Sequence, residues 1–171
     1  MNPQADVKAE RAIGSIQGLC PFAGVIAGLV AGAAYLGAQM FFSATVHDAD
    51  AWAPLQRISA MLLGPDDLPP SADHSATLAG MAVLIHFGLA IVFGRLVDLA
   101  VRGRVRLDAL LRGLAVGVAL YGVNYFLVAP LAFPWFEDSR GLTTLVDHAL
   151  FGAVAVAVYL QLRMRRPGWV V

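Results

Sequence analysis

The chain has 171 residues, 58% of them hydrophobic and 14% charged, with a mean hydropathy of +0.69. Soluble domains carry roughly 45–50% apolar and about 25% charged residues, so the composition is that of an integral membrane protein. The net charge is zero, which leaves no basic field to attract a nucleic acid. A single cysteine, Cys20, supports neither a disulfide framework nor a thiolate metal site.

Residues 1–20 are polar and carry charges of both signs, as expected of a short cytoplasmic tail. Four apolar stretches follow, at 21–46, 77–101, 109–132 and 142–164. Each reaches the ~20 residues that cross a hydrocarbon core as helix. Their unbroken hydrophobicity argues for helices rather than barrel strands, which alternate in polarity. The fold expected is therefore an all-α membrane protein, a four-helix transmembrane domain over 21–166 with a tail at 167–171. A signal-peptide reading of the first stretch fails on length, since it is about twice the usual 7–15 residue apolar region.

The first span bears Gly24, Gly28 and Gly32, a small-residue stripe of the kind that lets helix backbones approach in lipid. Tyr35 and Gln39 continue that face. In the loop that follows, Trp52, Leu55, Ile58 and Leu62 recur at helical spacing, which predicts a short helix in the membrane interface. It stops at Gly64-Pro65, before an acidic, Pro-rich turn. His47, Asp48, Asp50 and His74 share this loop, but their spacing matches no compact metal motif.

The second span places His86 among Ala79, Ala82, Ala90 and Gly94, with Arg95 and Asp98 paired at its end. The third repeats the glycine spacing at Gly113 and Gly117, then brings Tyr121 and Asn124, with Pro130 expected to end it. An aromatic loop, Phe133 to Phe136, leads to a fourth span with Asp147 and His148 early and Arg163 late. Ten of the twelve basic residues fall on one side of this arrangement, and only Arg57 and Arg140 on the other. By the positive-inside rule both termini and the 102–108 loop are cytoplasmic.

The segments 28–41 and 113–126 align without gaps, sharing glycine at three positions and placing Gln39 opposite Asn124. His86 lies 16 residues before Arg102, and His148 lies 15 before Arg163. Together these predict a parallel internal repeat of two helix pairs. At 1.5 Å per residue, Gln39, Asn124, His86 and His148 sit about 10–15 Å below the outer surface. Tyr121 and Asp147 join them in one polar layer, although Asp147 points about 100° away from His148 on its helix.

Polar groups within a bilayer are costly and mark function by default. Three readings of the layer stand side by side. It can fix helix register through mutual hydrogen bonds. It can hold haem b, with His86 and His148 as axial ligands. Or it can form a conduit for protons or a small solute. Nucleophilic catalysis is not expected, because no serine or cysteine stands at the layer beside a base.

Several short motifs carry a resemblance: Arg57-Ile58, Leu63-Gly64-Pro65, Leu68-Pro69-Pro70, Asn124-Tyr125-Phe126, Phe133-Pro134-Trp135-Phe136 before Arg140, and His148 with Gly152. Over most of 21–164 the chain resembles a family of uncharacterised bacterial four-span inner-membrane proteins. That resemblance implies topology and a bacterial membrane, and no activity. Small size and the lack of a soluble domain make an accessory or assembly subunit of a larger, respiratory membrane complex the leading expectation. Its partners would be lipid, other membrane subunits or further copies of itself.

Overall fold

The computed structural model describes residues 22–65, 68 and 75–164. The expected tails, Cys20, the acidic residues Asp66, Asp67 and Asp73, and His74 lie outside the described residues. Among those described, the chain is helical with no strand: α1 (Ala23–Thr45), α2 (Ala53–Leu63), α3 (Ala76–Val101), α4 (Arg106–Ala132) and α5 (Leu142–Met164). All but α2 are long and apolar enough to cross a membrane.

Ser75 begins α3, its side chain accepting from the Thr77 N–H at 3.2 Å and so satisfying a donor that the first turn leaves unpaired. The third span begins at 106, three residues before the apolar run predicts. Asp108 lies in that first turn, where the helix dipole favours an acid, and it bridges Arg112 at 2.9 Å and Arg104 at 3.7 Å. Nor does Pro130 end the helix. The chain widens into a π-helical turn over Asn124–Val128 and closes with an α turn at Ala129–Ala132. A 3-10 segment, Pro134–Ser139, then leads to α5.

Helix α2 is present where Trp52, Leu55, Ile58 and Leu62 forecast it, with a different buried stripe. Leu55 and Ile58 pack on Ala82, whereas Leu62 is 63% exposed. The 3-10 segment clamps α2 from above: Trp135 Nε1 donates to the Arg57 carbonyl at 3.2 Å, and Arg57 donates to Ser139 Oγ.

Around the bundle the order is α3, α1, α5, α4, with the α3–α4 seam the loosest. Two crossings are tight enough to be backbone on backbone. A Cβ added to Gly28 would run into the Ala90 carbonyl and Gly94, and one added to Gly94 would meet Gly24 and Gly28. In the other crossing Gly113 faces Gly152 and Val156, and Gly117 faces the His148 carbonyl. Helices in lipid gain nothing from merely hiding apolar surface from each other, so such close van der Waals approach is what holds them.

Asp98 lies at the arginine end of the bundle. It accepts from both Arg95 and Arg102 at 3.1 Å, and its hydrogen bond holds the Arg102 guanidinium pKa above the ordinary value. Arg163 stacks 5.7 Å above the ring of Tyr159. The opposite end carries α2 and the 3-10 segment.

Candidate functional site

Tyr35 is the hub of the polar groups inside the bundle. It sits three residues after Gly32 and four before Gln39, so a single helix face carries the close-packing glycine, the phenol and the amide. Its hydroxyl lies 3.2 Å from His148 Nδ1 and accepts from Gln39 Nε2 at 3.1 Å. The Tyr35 ring stands between the two histidines, with centroids 5.8 Å from His86 and 4.9 Å from His148.

The histidines are bound differently. His86 Nε2 lies 2.8 Å from the Gly32 carbonyl across the α1–α3 crossing, and a carbonyl only accepts, so Nε2 carries the proton. His148 Nδ1 lies 2.8 Å from the Thr144 carbonyl one turn back on its own helix, which places its proton on Nδ1. His148 Nε2 is left as an acceptor facing the Asn124 amide at 3.4 Å. Tyr121 and Tyr125 complete its surroundings, each with a ring centroid 5.7 Å away.

Asn124 and Tyr125 are the first two residues of the π turn. In a regular helix the Ala129 N–H would bond to Tyr125; here it bonds to the Asn124 carbonyl. The next donor along the chain would be residue 130, and proline has none. The Tyr125 carbonyl is thereby orphaned, and Arg140 Nε donates to it at 2.8 Å. Asn124 and Tyr125, neighbours in the chain, both line the interior.

These side chains floor a cavity of about 410 Å³. Tyr35, Gln39, His86, Asn124, Tyr125 and His148 supply its polar groups, and the remaining walls are apolar. Leu89 of α3 and Val123 and Val128 of α4 line it while being exposed on the outside of the bundle, so its mouth opens through the loose α3–α4 seam onto the apolar surface. A second cavity of about 270 Å³ lies at the α2 end and is markedly more polar. Gln39 and Tyr125 line both.

Of the six layer residues foreseen in the sequence, Gln39, His86, Asn124 and His148 line the first cavity. Tyr121 touches His148 from outside it. Asp147 lines the second cavity, in keeping with its 100° offset. Tyr35 as the hub and Tyr125 as a wall were not foreseen as site residues, though the 3–4 spacing of Gly32, Tyr35 and Gln39 carried the signal for the first. In the α2 loop, His47 Nε2 bonds to Thr143 Oγ1 at 3.1 Å, and no group of three or more His, Cys, Asp and Glu lies together among the described residues.

The arrangement does not fit a bis-histidine haem. An axial pair needs two free ring nitrogens facing one open slot, whereas the Tyr35 ring fills the space between these histidines and His86 Nε2 is held by Gly32. Comparison with protein-family models, with curated proteins and with solved structures finds no match.

Proposed function

We propose that the chain is a small membrane subunit that binds a lipid-soluble molecule in the cavity between α3 and α4. One observation carries this reading: an intramembrane cavity of about 410 Å³ with an apolar mouth on the lipid-facing surface and a hydrogen-bonding floor of Tyr35, Asn124 and His148. Pockets of some 300–1,000 Å³ with apolar walls and a few convergent polar groups are the usual form of small-molecule sites. The ligand chemistry that fits is a flat or slender apolar body with one carbonyl or hydroxyl head, of isoprenoid-quinone type. Asn124 Nδ2 and the Tyr35 hydroxyl would donate to the head, and His148 Nε2 would accept. Such a protein serves a larger membrane complex as an accessory subunit, in a bacterial inner membrane with both termini inside and the α2 end outward.

The two helix pairs descend from one repeated unit in this reading. In support, Gly28 lies against residues 90 and 94, and Gly113 against 152 and 156. These are the same registers relative to His86 and His148. A second reading, conduction of protons or a solute, has the shared lining of Gln39 and Tyr125 in its favour, since the route would pass between them.

The test is to purify the chain in mild detergent, extract it with organic solvent and weigh what is released. A near-stoichiometric lipid-soluble compound, lost from Asn124→Leu and His148→Phe, is the expected result. No retained compound, together with no saturable binding of a short-chain benzoquinone, would overturn the proposal. Stoichiometric membrane partners in the same preparation test the accessory role.

A further inference from the structure

The cavity at the α2 end holds charges that the intramembrane cavity does not explain. Asp147 is 2% exposed, and its Oδ1 has no hydrogen-bond partner. A carboxylate so buried is costly unless something pairs with it. Arg57 lines the same cavity. Its guanidinium donates to the Ser139 hydroxyl, and no carboxylate among the described residues pairs with it. Arg140, by contrast, is already engaged, by Glu137 at 3.0 Å and by the Tyr125 carbonyl. Asp138 is exposed at the rim, where water meets its charge.

One cavity of about 270 Å³ thus offers an unpartnered buried carboxylate and a guanidinium with donors to spare. A bare metal ion leaves most of that volume empty and finds no cluster of three ligands among the described residues. A simple organic cation would satisfy Asp147 and be repelled by Arg57. A simple anion would do the reverse. Only a molecule carrying both signs meets both walls, and Phe42, Ala53 and Phe136 leave an apolar face for a short side chain.

We propose that this cavity binds a small zwitterion of amino-acid size, with its ammonium on Asp147 and its carboxylate on Arg57. The inference does not rest on occupancy of the intramembrane cavity. Trp135, hydrogen-bonded to the Arg57 carbonyl, provides the reporter. The purified full chain is titrated with glycine, L-alanine and L-serine, followed by tryptophan fluorescence. L-alaninamide, N-acetyl-L-alanine and sodium chloride serve as probes lacking one charge or the organic body.

A saturable response to at least one of the three amino acids is expected. Loss of either charge should weaken binding by about thirtyfold or more, as removing one partner of a buried charge pair does. Asp147→Asn should cost the amino acid a similar factor while leaving N-acetyl-L-alanine unaffected, and Arg57→Gln should spare L-alaninamide in the same way. Three results overturn the proposal: no saturable response to any of the three, equal binding of L-alanine and L-alaninamide, or a response to sodium chloride alone. All three are read on the wild-type protein, so they hold even where a variant fails to fold.

Discussion

The two glycine crossings are alike in backbone and different in use. In each, a helix that runs toward the α2 end meets its antiparallel partner through Gly, and a histidine sits one turn beyond the Gly28–Ala90 or Gly113–Gly152 contact toward that end. In the α1–α3 pair the imidazole is taken up by the crossing itself, as His86 donates to the Gly32 carbonyl. In the α4–α5 pair Gly117 lies against the His148 carbonyl, so the backbone does the joining. The ring of His148 is then free to face Tyr35 and Asn124. Equal register at the crossings does not make equal roles; what each ring nitrogen is bonded to decides.

Both crossings should break most completely at the glycines. Gly152→Leu and Gly28→Leu each push a side chain into opposing backbone, and a loss of about 3 kcal/mol is expected for either. Thermal melts followed by size-exclusion chromatography would show it. Gly88 has nothing within 4 Å of its added Cβ. Gly88→Ala should therefore be neutral or stabilise by up to about 1 kcal/mol through helix propensity. A melt in which all three behave alike would mean that the crossings do not hold the bundle.

Next in size is the division between the histidines. His86→Leu should lower stability by about 1 kcal/mol through loss of an interhelical hydrogen bond, with ligand retention largely kept. His148→Leu should abolish retention at a similar stability cost, because Tyr35 and Asn124 lose their common partner. Paired unfolding curves and solvent extractions check both, and interchangeable behaviour would show that the two sites are equivalent after all.

The smallest effect is at the arginine end, where the α1–α3 pair has a charge cluster. Asp98 keeps Arg102 when Arg95 is removed, and the Arg95 side chain is 44% exposed. Arg95→Ala should therefore cost about 0.5 kcal/mol or less, within reach of a careful denaturation series. A larger loss would mean that this cluster, rather than the glycines, sets the crossing.

The four spans were legible because apolar length is a property of the chain alone, and the glycine stripes because spacing of four survives into the helix. The start of α4 was not. Arg106, Asp108 and Arg112 lower hydropathy, yet the Asp108–Arg112 pair at i,i+4 supports the added turn. Pro130 read as a stop because proline normally breaks the ladder; here the π turn removes the need for its N–H. Leu62 fell on the predicted apolar stripe of α2 and points outward, since the packing partner, α3, approaches from the Leu55 and Ile58 side. The spacing within α1 put Tyr35 on the inward face beside Gln39, but its role as hub lies in its distances to His86 and His148, which that spacing does not encode.

The orphaned Tyr125 carbonyl has a thermodynamic consequence. It belongs to a residue that walls both cavities, and Arg140, its donor, lines the one at the α2 end. Any molecule there that draws the Arg140 guanidinium toward itself leaves a buried acceptor unsatisfied, at about 1–3 kcal/mol. That energy is a coupling term between the two compartments. By linkage it acts in both directions, so a ligand that stiffens the π turn must resist recruitment of Arg140 by the same factor. The missing hydrogen on one proline nitrogen would thus let two compartments that share no ligand sense one another.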